Sequence, residues 1–131
     1  MCKVGDIILV NHYKSHGNDI SRHSFVVLNT DNGEIKGLPY DLVCNVMSSF
    51  HSAEHREKKL RYPGNIEIFP EDEIVQNGNN KGGYIKADQF YYFKKSNIDY
   101  MVIGNVSVEL FMRLIELINK LEEVEEITDN L

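Results

Sequence analysis

The amino-acid sequence predicts one mainly β domain that carries a single α-helix near its C-terminal end. Short runs of β-branched and aromatic residues alternate with Gly-, Asn- and Asp-rich segments, as in strands joined by turns. Only residues 107–121 repeat their apolar side chains at intervals of three and four, as an amphipathic helix does. About six to seven short strands with one terminal helix favour a small twisted sheet or a partly open barrel.

Length and composition suit one soluble domain. The 131 residues are enough for a single hydrophobic core. The first residues lack a signal-peptide pattern and no apolar run approaches the ~20 residues of a membrane span, so we expect a cytoplasmic protein. Cys2 and Cys44 form neither a disulfide framework nor a metal-binding spacing, and we expect two free thiols.

The charge is unevenly distributed. The chain has 20 acidic and 14 basic side chains, a net charge of −6. Five of the acidic residues follow Lys120, and removing them leaves 15 acidic against 14 basic side chains, a charge of −1. The overall sign therefore does not exclude a polyanionic partner.

The N-terminal half is organised around two apolar runs. Residues 4–10 and 22–29 are expected to be strands, with a polar loop at residues 11–21 between them. Apolar strands are buried while a polar loop remains in water, so we expect this loop at a rim of the fold, close to the chemistry. Asn32-Gly33 predicts a tight turn into a short strand at residues 34–36.

The next apolar run, residues 40–47, is expected to be a central strand. Residues 48–61 are polar, and we interpret them as mostly loop. The later strands are expected at residues 65–69 (stopped by Pro70), at residues 84–93 (interrupted at Asp88-Gln89) and, as the last one, at residues 100–103, with a turn at residues 76–83.

The helix has clear start and end signals. Ser107 is a suitable N-cap, and Val106 and Phe111 occupy the positions of a hydrophobic staple. Glutamates beyond Lys120 are unfavourable at a helix C-terminus. We therefore expect one domain at residues 1–121 and an acidic, frayed tail at residues 122–131.

A cation, hydroxyls and a carboxylate are placed at strand ends. Arg22 ends the first loop, Ser48 and Ser49 follow the central strand, and Lys86 and Asp88 end a later one. Such groups suit phosphodiester chemistry, in which a carboxylate takes the proton of a ribose 2′-hydroxyl and a cation stabilises the charged phosphorane. Spacing alone favours the alternative, a surface ion pair of Arg22 or Lys86 with Asp88.

Other side chains permit two interpretations each. The basic group Arg56, Lys58, Lys59 and Arg61 is either a phosphate-contact surface or a solvated loop. Aromatic residues at positions 84 and 90–93 either stack on RNA bases or pack in the core, and alternation favours the core. The apolar stripe of the helix suits core or dimer packing. Histidines four apart, at positions 12 and 16 and at 51 and 55, lie in segments without firm helical character, so no metal site is expected.

Several segments resemble the MazF/PemK toxins of toxin–antitoxin systems. Lys3-Val4-Gly5-Asp6-Ile7-Ile8-Leu9-Val10 followed by Arg22-His23-Ser24-Phe25-Val26-Val27-Leu28 is similar to the opening of that family. Residues 40–49 resemble its next apolar strand, which ends in Thr or Ser. Gly83-Tyr84-Ile85-Lys86-Ala87-Asp88-Gln89 is similar to the Arg-Cys-Asp-Gln segment of the Kid/PemK branch, and Ile103-Gly104 with the following helix matches the close of the family.

The resemblance implies an SH3-like barrel, usually a homodimer, that acts as a sequence-selective, metal-independent endoribonuclease without cofactor and is paired with an antitoxin protein. Arg22 and Ser48 or Ser49 would flank the scissile phosphate. Lys86 and Asp88 would stand where the Kid branch has its arginine and carboxylate, and His16 would replace a loop histidine. RNA-binding residues are expected at His23 and His51, beside the basic group, so that single-stranded RNA lies between residues 11–21 and residues 51–61.

The sequence departs from the family at three places. His23 stands where the family usually has Pro, Lys86 replaces an Arg and lacks its bidentate grip on phosphate, and residues 49–64 are longer and more basic than expected. The alternative function is a non-catalytic SH3-like module that binds RNA or a protein segment. A metal hydrolase that uses the histidines is the least favoured class.

Overall fold

The computed structural model describes residues 2–75 and 82–131 and confirms the mainly β class. Eleven strands and two α-helices occur in these two ranges. The strands are β1 (Asp6–Ser15), β2 (Asn18–Asn29), β3 (Gly33–Ile35), β4 (Leu38–Tyr40), β5 (Leu42–Ser48), β6 (Asn65–Ile68), β7 (Glu73–Val75), β8 (Gly83–Lys86), β9 (Gln89–Phe93), β10 (Tyr100–Val106) and β11 (Glu125–Asn130), and the helices are α1 (Ala53–Leu60) and α2 (Val108–Lys120).

Nine of the strands form one sheet. Its order is β11-β9-β5-β2-β1-β10-β7, and β8 joins it by pairing with β5 and β6. In the described part of the chain the pairs are antiparallel except β11 with β9, and β3 and β4 form a separate hairpin. The sheet is not closed into a barrel, and the expected six to seven strands were too few.

The expected loop at residues 11–21 is wrong. β1 and β2 continue as a paired hairpin as far as Ser15 and Asn18. His16 and Gly17 form the tight turn with φ values of 52° and 79°, the positive values that two-residue hairpin turns require. Beyond Val10 only one face of β1 is buried, so polar residues alternate with Tyr13 and Ser15 and the strand resembles a loop in sequence.

The short strand expected at residues 34–36 is confirmed as β3, but the tight turn expected at Asn32-Gly33 is wrong, since neither residue has a positive φ value. The hairpin of β3 and β4 turns at Lys36 and Gly37, which have positive φ values of 52° and 80°. Gly33 is already the first residue of β3 and pairs with Tyr40. The central strand is confirmed: β5 lies between β2 and β9, and six of its seven residues are buried.

Residues 48–61 are not mostly loop, because α1 occupies Ala53–Leu60. The side chain of Ser52 caps it by accepting a hydrogen bond from the backbone N–H of His55 at 3.0 Å. Glu54 lies in the first turn and two lysines in the last, which suits the helix dipole. None of the helical residues is buried, so the sequence lacks the apolar stripe by which helices are predicted.

Both faces of the central strands are covered. One apolar cluster includes Phe25 of β2, whose ring makes edge-to-face contacts with Tyr13, Tyr91 and Phe93. On the other face, Leu110 and Leu114 of α2 are fully buried in a second cluster with residues of β1, β2, β5, β6 and β8. The N-cap prediction is confirmed, since Ser107 Oγ accepts from Leu110 N at 3.1 Å.

The tail at residues 122–131 is not frayed. Residues 125–130 form β11, parallel to β9, and Ile127 is buried in the first cluster. Asn130 also ties β11 to β1: its Oδ1 accepts from Lys14 N at 2.7 Å and its Nδ2 donates to the Lys14 carbonyl at 3.0 Å. Acidic residues are unfavourable within the last turn of a helix. They do not destabilise residues 125–130, because the helix ends at Lys120 and these residues form a strand.

The remaining strand predictions are largely confirmed. β6 covers residues 65–68, and β8 and β9 replace the interrupted run at residues 84–93, whereas β10 extends to Val106 and is not the last strand. The turn expected at residues 76–83 falls mostly outside the described residues, since Gly83 is the first residue of β8 and residues 76–81 are not described. Within the described ranges, neither helix has the length and apolar character to cross a membrane.

We expect Gly83→Ala to destabilise the protein strongly. Gly83 has a φ of 141°, and a Cβ there would collide with the backbone carbonyl of Ser48 on β5. Strain and overpacking together should cost about 2–4 kcal/mol of unfolding free energy, measured by urea denaturation. In the control, Gly17→Ala, φ is 79° but no atom lies within 4 Å of the added methyl. That control should cost about 1 kcal/mol, and an equal loss in both variants would contradict the packing explanation.

Candidate active site

Two adjoining cavities open beside the strands β2, β5 and β8. The larger has a volume of about 590 Å³ and is lined by Arg22, Ser49, His51 and Tyr84 among others. The smaller, about 230 Å³, is lined by His16, Lys86, Ser15, Tyr13, Gln89 and Tyr91 among others. His23 and Ser48 line both cavities. Seven of the predicted site residues therefore come together here, and we call the pair the double cavity.

The antiparallel register explains this convergence. β2 and β5 pair with Ser24 opposite Met47, which places the Arg22-His23 pair beside the end of β5 at Ser48 and Ser49. β8 pairs with the same end of β5, with Ser48 opposite Tyr84. Residues far apart in sequence thus meet around the C-terminal end of the central strand β5.

His23 makes its hydrogen bonds through one ring nitrogen. Its Nδ1 lies 3.1 Å from the Ser21 carbonyl oxygen and 3.2 Å from Tyr13 Oη. Because a carbonyl oxygen only accepts hydrogen bonds, the Ser21 contact favours a proton on Nδ1 and leaves the lone pair on Nε2. Nε2 makes no hydrogen bond to any residue of the described ranges. His23 can therefore accept a proton from a group in the double cavity.

His16 lies at the tip of the β1–β2 hairpin. Its Nε2 is 2.5 Å from Glu125 Oε2, and its Nδ1 is 3.2 Å from Ser15 Oγ, which in turn lies 3.0 Å from Tyr91 Oη. The hydrogen bond with Glu125 and the charge of that carboxylate raise the pKa of His16. The raised pKa extends to higher pH the range in which His16 carries a proton on both ring nitrogens.

Lys86 supplies a half-buried cation to the smaller cavity. Burial lowers the pKa of its ammonium group, Lys59 lowers it further, and the nearby Asp88 opposes this by raising it. Asp88 does not line either cavity. Its carboxyl group packs against Gly64, where a Cβ would collide with it. The carboxylate of Asp88 thus influences the smaller cavity through its charge near Lys86.

The basic group lies on or next to α1 and is partly paired. Arg56 makes a bidentate ion pair with Glu67, with distances of 2.8 Å and 3.0 Å, and Arg61 reaches Glu57 at 3.3 Å. Lys59 Nζ lies 5.8 Å from the centroid of the Tyr62 ring. Lys58 has no ion-pair partner within residues 2–75 and 82–131. None of the four basic residues lines the double cavity.

The segment before α1 is aromatic. Phe50 stacks on Tyr84 with centroids 5.2 Å apart, and the His51 N–H donates to His55 Nδ1 at 3.1 Å. Burial and the neighbouring His51 lower the pKa of His55. The core interpretation is confirmed for the buried aromatic residues, which are Tyr84, Tyr91, Tyr92 and Phe93.

Sequence reasoning missed the residues that support the imidazoles. Tyr13 and Ser15 are recognisable only once β1 is known to continue past Val10, because their burial follows strand alternation. Glu125 was assigned to the acidic tail, and nothing local in the sequence places it beside His16. In the described part of the chain, no three His, Cys, Asp or Glu side chains converge to hold a metal ion.

The chain was compared with known protein families and with curated proteins. No family model matches it, and no curated protein matches it either.

Proposed function

We propose that this protein is a metal-independent endoribonuclease that cleaves single-stranded RNA by attack of a ribose 2′-hydroxyl, as the resemblance to the MazF/PemK toxins implies. One observation carries the proposal. The double cavity brings the cations of Arg22 and Lys86 together with the imidazole of His23 and the hydroxyl of Ser48. These groups can stabilise the negative charge that develops during phosphodiester cleavage and can transfer the protons that the reaction requires.

The cleavage chemistry needs a base and a cation close to one phosphate. His23 Nε2 takes the proton of the 2′-hydroxyl as the oxygen attacks phosphorus. The phosphorane gains negative charge, which Arg22 and Lys86 stabilise. Ser48 and Ser49 donate hydrogen bonds to the non-bridging oxygens. The sequence placed Asp88 in the role of base, but the lining of the cavities favours His23.

A single strand suits this geometry better than a duplex. Arg22 is exposed at the open larger cavity, and attack in line with the leaving oxygen requires a nucleotide free of helical stacking. His51 lines the same cavity directly before α1. RNA leaving the cavity would therefore meet the basic group, with Lys58 as its most available cation.

The proposal extends to partners. By resemblance, the protein is the toxin of a toxin–antitoxin pair, a homodimer with an SH3-like strand arrangement that acts in the cytoplasm. The side-chain links from β11 to β1 bring an edge strand back against the middle of the sheet, which is compatible with a barrel-like form. Light scattering would test the dimer. A search for a short reading frame next to the gene, followed by co-expression of its product, would test the antitoxin.

We expect cleavage to continue undiminished in EDTA. The double cavity supplies cation, base and hydroxyls from protein side chains, so the reaction needs no bound ion to stabilise its charge. Mixed single-stranded RNA would be incubated with the protein in EDTA, and the fragments would be mapped for 2′,3′-cyclic phosphate and 5′-hydroxyl ends.

Two outcomes would contradict the proposal. Cleavage that stops in EDTA and returns with a divalent ion would reject the metal-independent chemistry. Binding of RNA without any cut would favour the non-catalytic module. A heat-denatured sample serves as the control for contaminating nucleases.

A further inference from the structure

The C-terminal strand β11 holds the tip of the β1–β2 hairpin. Asp129 Oδ2 accepts a hydrogen bond from the backbone N–H of Gly17 at 2.8 Å. Asn130 bonds both the N–H and the carbonyl of Lys14. With Glu125 on His16, three side chains of one strand fix three of the four residues 14–17. The turn that carries His16 is therefore fixed by contacts far away in sequence.

The strand that carries Glu125 is itself firmly placed. Ile127, two residues further on, is 3% exposed in the first apolar cluster. The backbone N–H of Glu125 donates to the Asp88 carbonyl at 2.7 Å. The side chains of His16 and Glu125 are 57% and 45% exposed, but the backbones that carry them are held in place, and this limits the orientations in which the two side chains meet.

We propose that Glu125 is a positioning residue that orients the His16 imidazolium at the smaller cavity as the proton donor to the leaving oxygen. This inference rests on the proposed ribonuclease function. Glu125 occupies Nε2 of His16, which leaves Nδ1 on the side of Ser15, itself a lining residue of that cavity. A carboxylate on one ring nitrogen and a reacting proton on the other is a common arrangement for acid–base histidines.

The step is balanced without a further reactant. The 2′-oxygen forms its bond to phosphorus while its proton passes to His23 Nε2. The bond between phosphorus and the 5′-oxygen breaks, and that oxygen takes the proton of His16 Nδ1. The products are a 2′,3′-cyclic phosphate and a 5′-hydroxyl.

The charged groups around His16 determine the direction in which its pKa is shifted. Glu125, through its hydrogen bond and its charge, is the largest influence and raises the pKa of His16, and Asp129 also raises it. Partial desolvation and Lys86 lower it. Because a proton donor must be protonated, removal of the Glu125 charge should move the alkaline limb of activity to lower pH.

The first measurement is an NMR titration of the His16 ring in the parent, in Glu125→Gln and in Asp129→Asn. We expect Glu125→Gln to lower the pKa of His16 markedly. Asp129→Asn removes a charge from the same strand without touching the imidazole, so it should lower this pKa less. An unchanged pKa in Glu125→Gln, or equal shifts in the two variants, would overturn the proposal.

The second measurement is the pH profile of cleavage. Glu125→Gln should reduce kcat by about tenfold, a part of the ~10²–10⁴-fold that a general acid supplies, with little change in KM and with the alkaline limb at lower pH. Glu125→Asp should recover part of the rate. A Glu125→Gln profile that coincides with the parent would reject the catalytic role. If the parent protein cuts no RNA but Glu125→Gln still lowers the pKa of His16, the ribonuclease function is rejected, whereas the positioning of His16 by Glu125 is retained.

Discussion

Arg22→Ala should leave the protein folded and reduce RNA cleavage by about 10²-fold or more, because it removes a cation that meets the charge of the phosphorane. The side chain of Arg22 is exposed at the larger cavity and makes no ion pair or hydrogen bond within the described residues. Its removal therefore loses little packing. Initial rates on a defined oligonucleotide and the thermal midpoint would both be measured.

A matched control is Arg61→Ala. Arg61 is also exposed, and its only ion pair in the described ranges is the one with Glu57 at 3.3 Å, a surface contact of little energetic value. It lines neither cavity. Because Arg61 belongs to the basic group and not to the cavity lining, its loss should weaken RNA binding only, and kcat at saturating RNA should stay near the parental value. If Arg22→Ala cuts as fast as Arg61→Ala, or melts far below it, Arg22 is not the catalytic cation.

The central strands could be predicted because both of their faces are buried. Residues such as Ile7, Ile8, Phe25 and Val26 are apolar in succession, and such runs are recognisable without any knowledge of neighbours. The outer half of the β1–β2 hairpin was not predicted, because there β1 is buried on one face only. Past Val10 one face meets water, and the exposed His12 and Lys14 gave the segment the composition of a loop.

Two elements could not be recognised because their stability is not local. α1 has a capping residue but no buried side chain, and the Arg56–Glu67 ion pair connects it to β6. β11 is held by parallel pairing to β9 and by side-chain bonds to Lys14 and Gly17, more than 100 residues away in sequence. The sequence shows that the segment forming β11 is acidic, but it does not show that this segment pairs with β9.

The candidate site was predictable at the level of residue types at strand ends. Arg22, Ser48 and Lys86 were chosen because each borders an apolar run. In the structure Ser48 and Lys86 end β5 and β8, and the antiparallel pairing of β2 with β5 brings Arg22, which lies within β2, beside them. Asp88 was chosen by the same reasoning but lies in the β8–β9 turn, two residues beyond Lys86, and packs against Gly64. In a turn, the direction of the side chain changes from one residue to the next. Spacing in the sequence alone therefore does not show whether a given side chain faces a cavity.

His23→Asn should reduce cleavage by about 10²–10⁴-fold, the contribution of a general base. The amide nitrogen of Asn takes the place of Nδ1 and can still donate to the Ser21 carbonyl, while the basic Nε2 is lost. The edge-to-face contact of the imidazole with Tyr13 disappears, so a modest loss of stability is expected as well. Cleavage rates and a urea denaturation curve would separate these two effects.

The control for this prediction is His12→Asn. His12 lies on the exposed face of β1 opposite Ser21, so the same substitution is made on the same hairpin outside both cavities. Cleavage should continue in this variant. Exogenous imidazole offers a further check, because a small base that enters the vacated space should restore part of the rate to His23→Asn and none to Arg22→Ala. Undiminished cleavage by His23→Asn would move the search for the base back to Asp88, at the cost of a side-chain rearrangement away from Gly64.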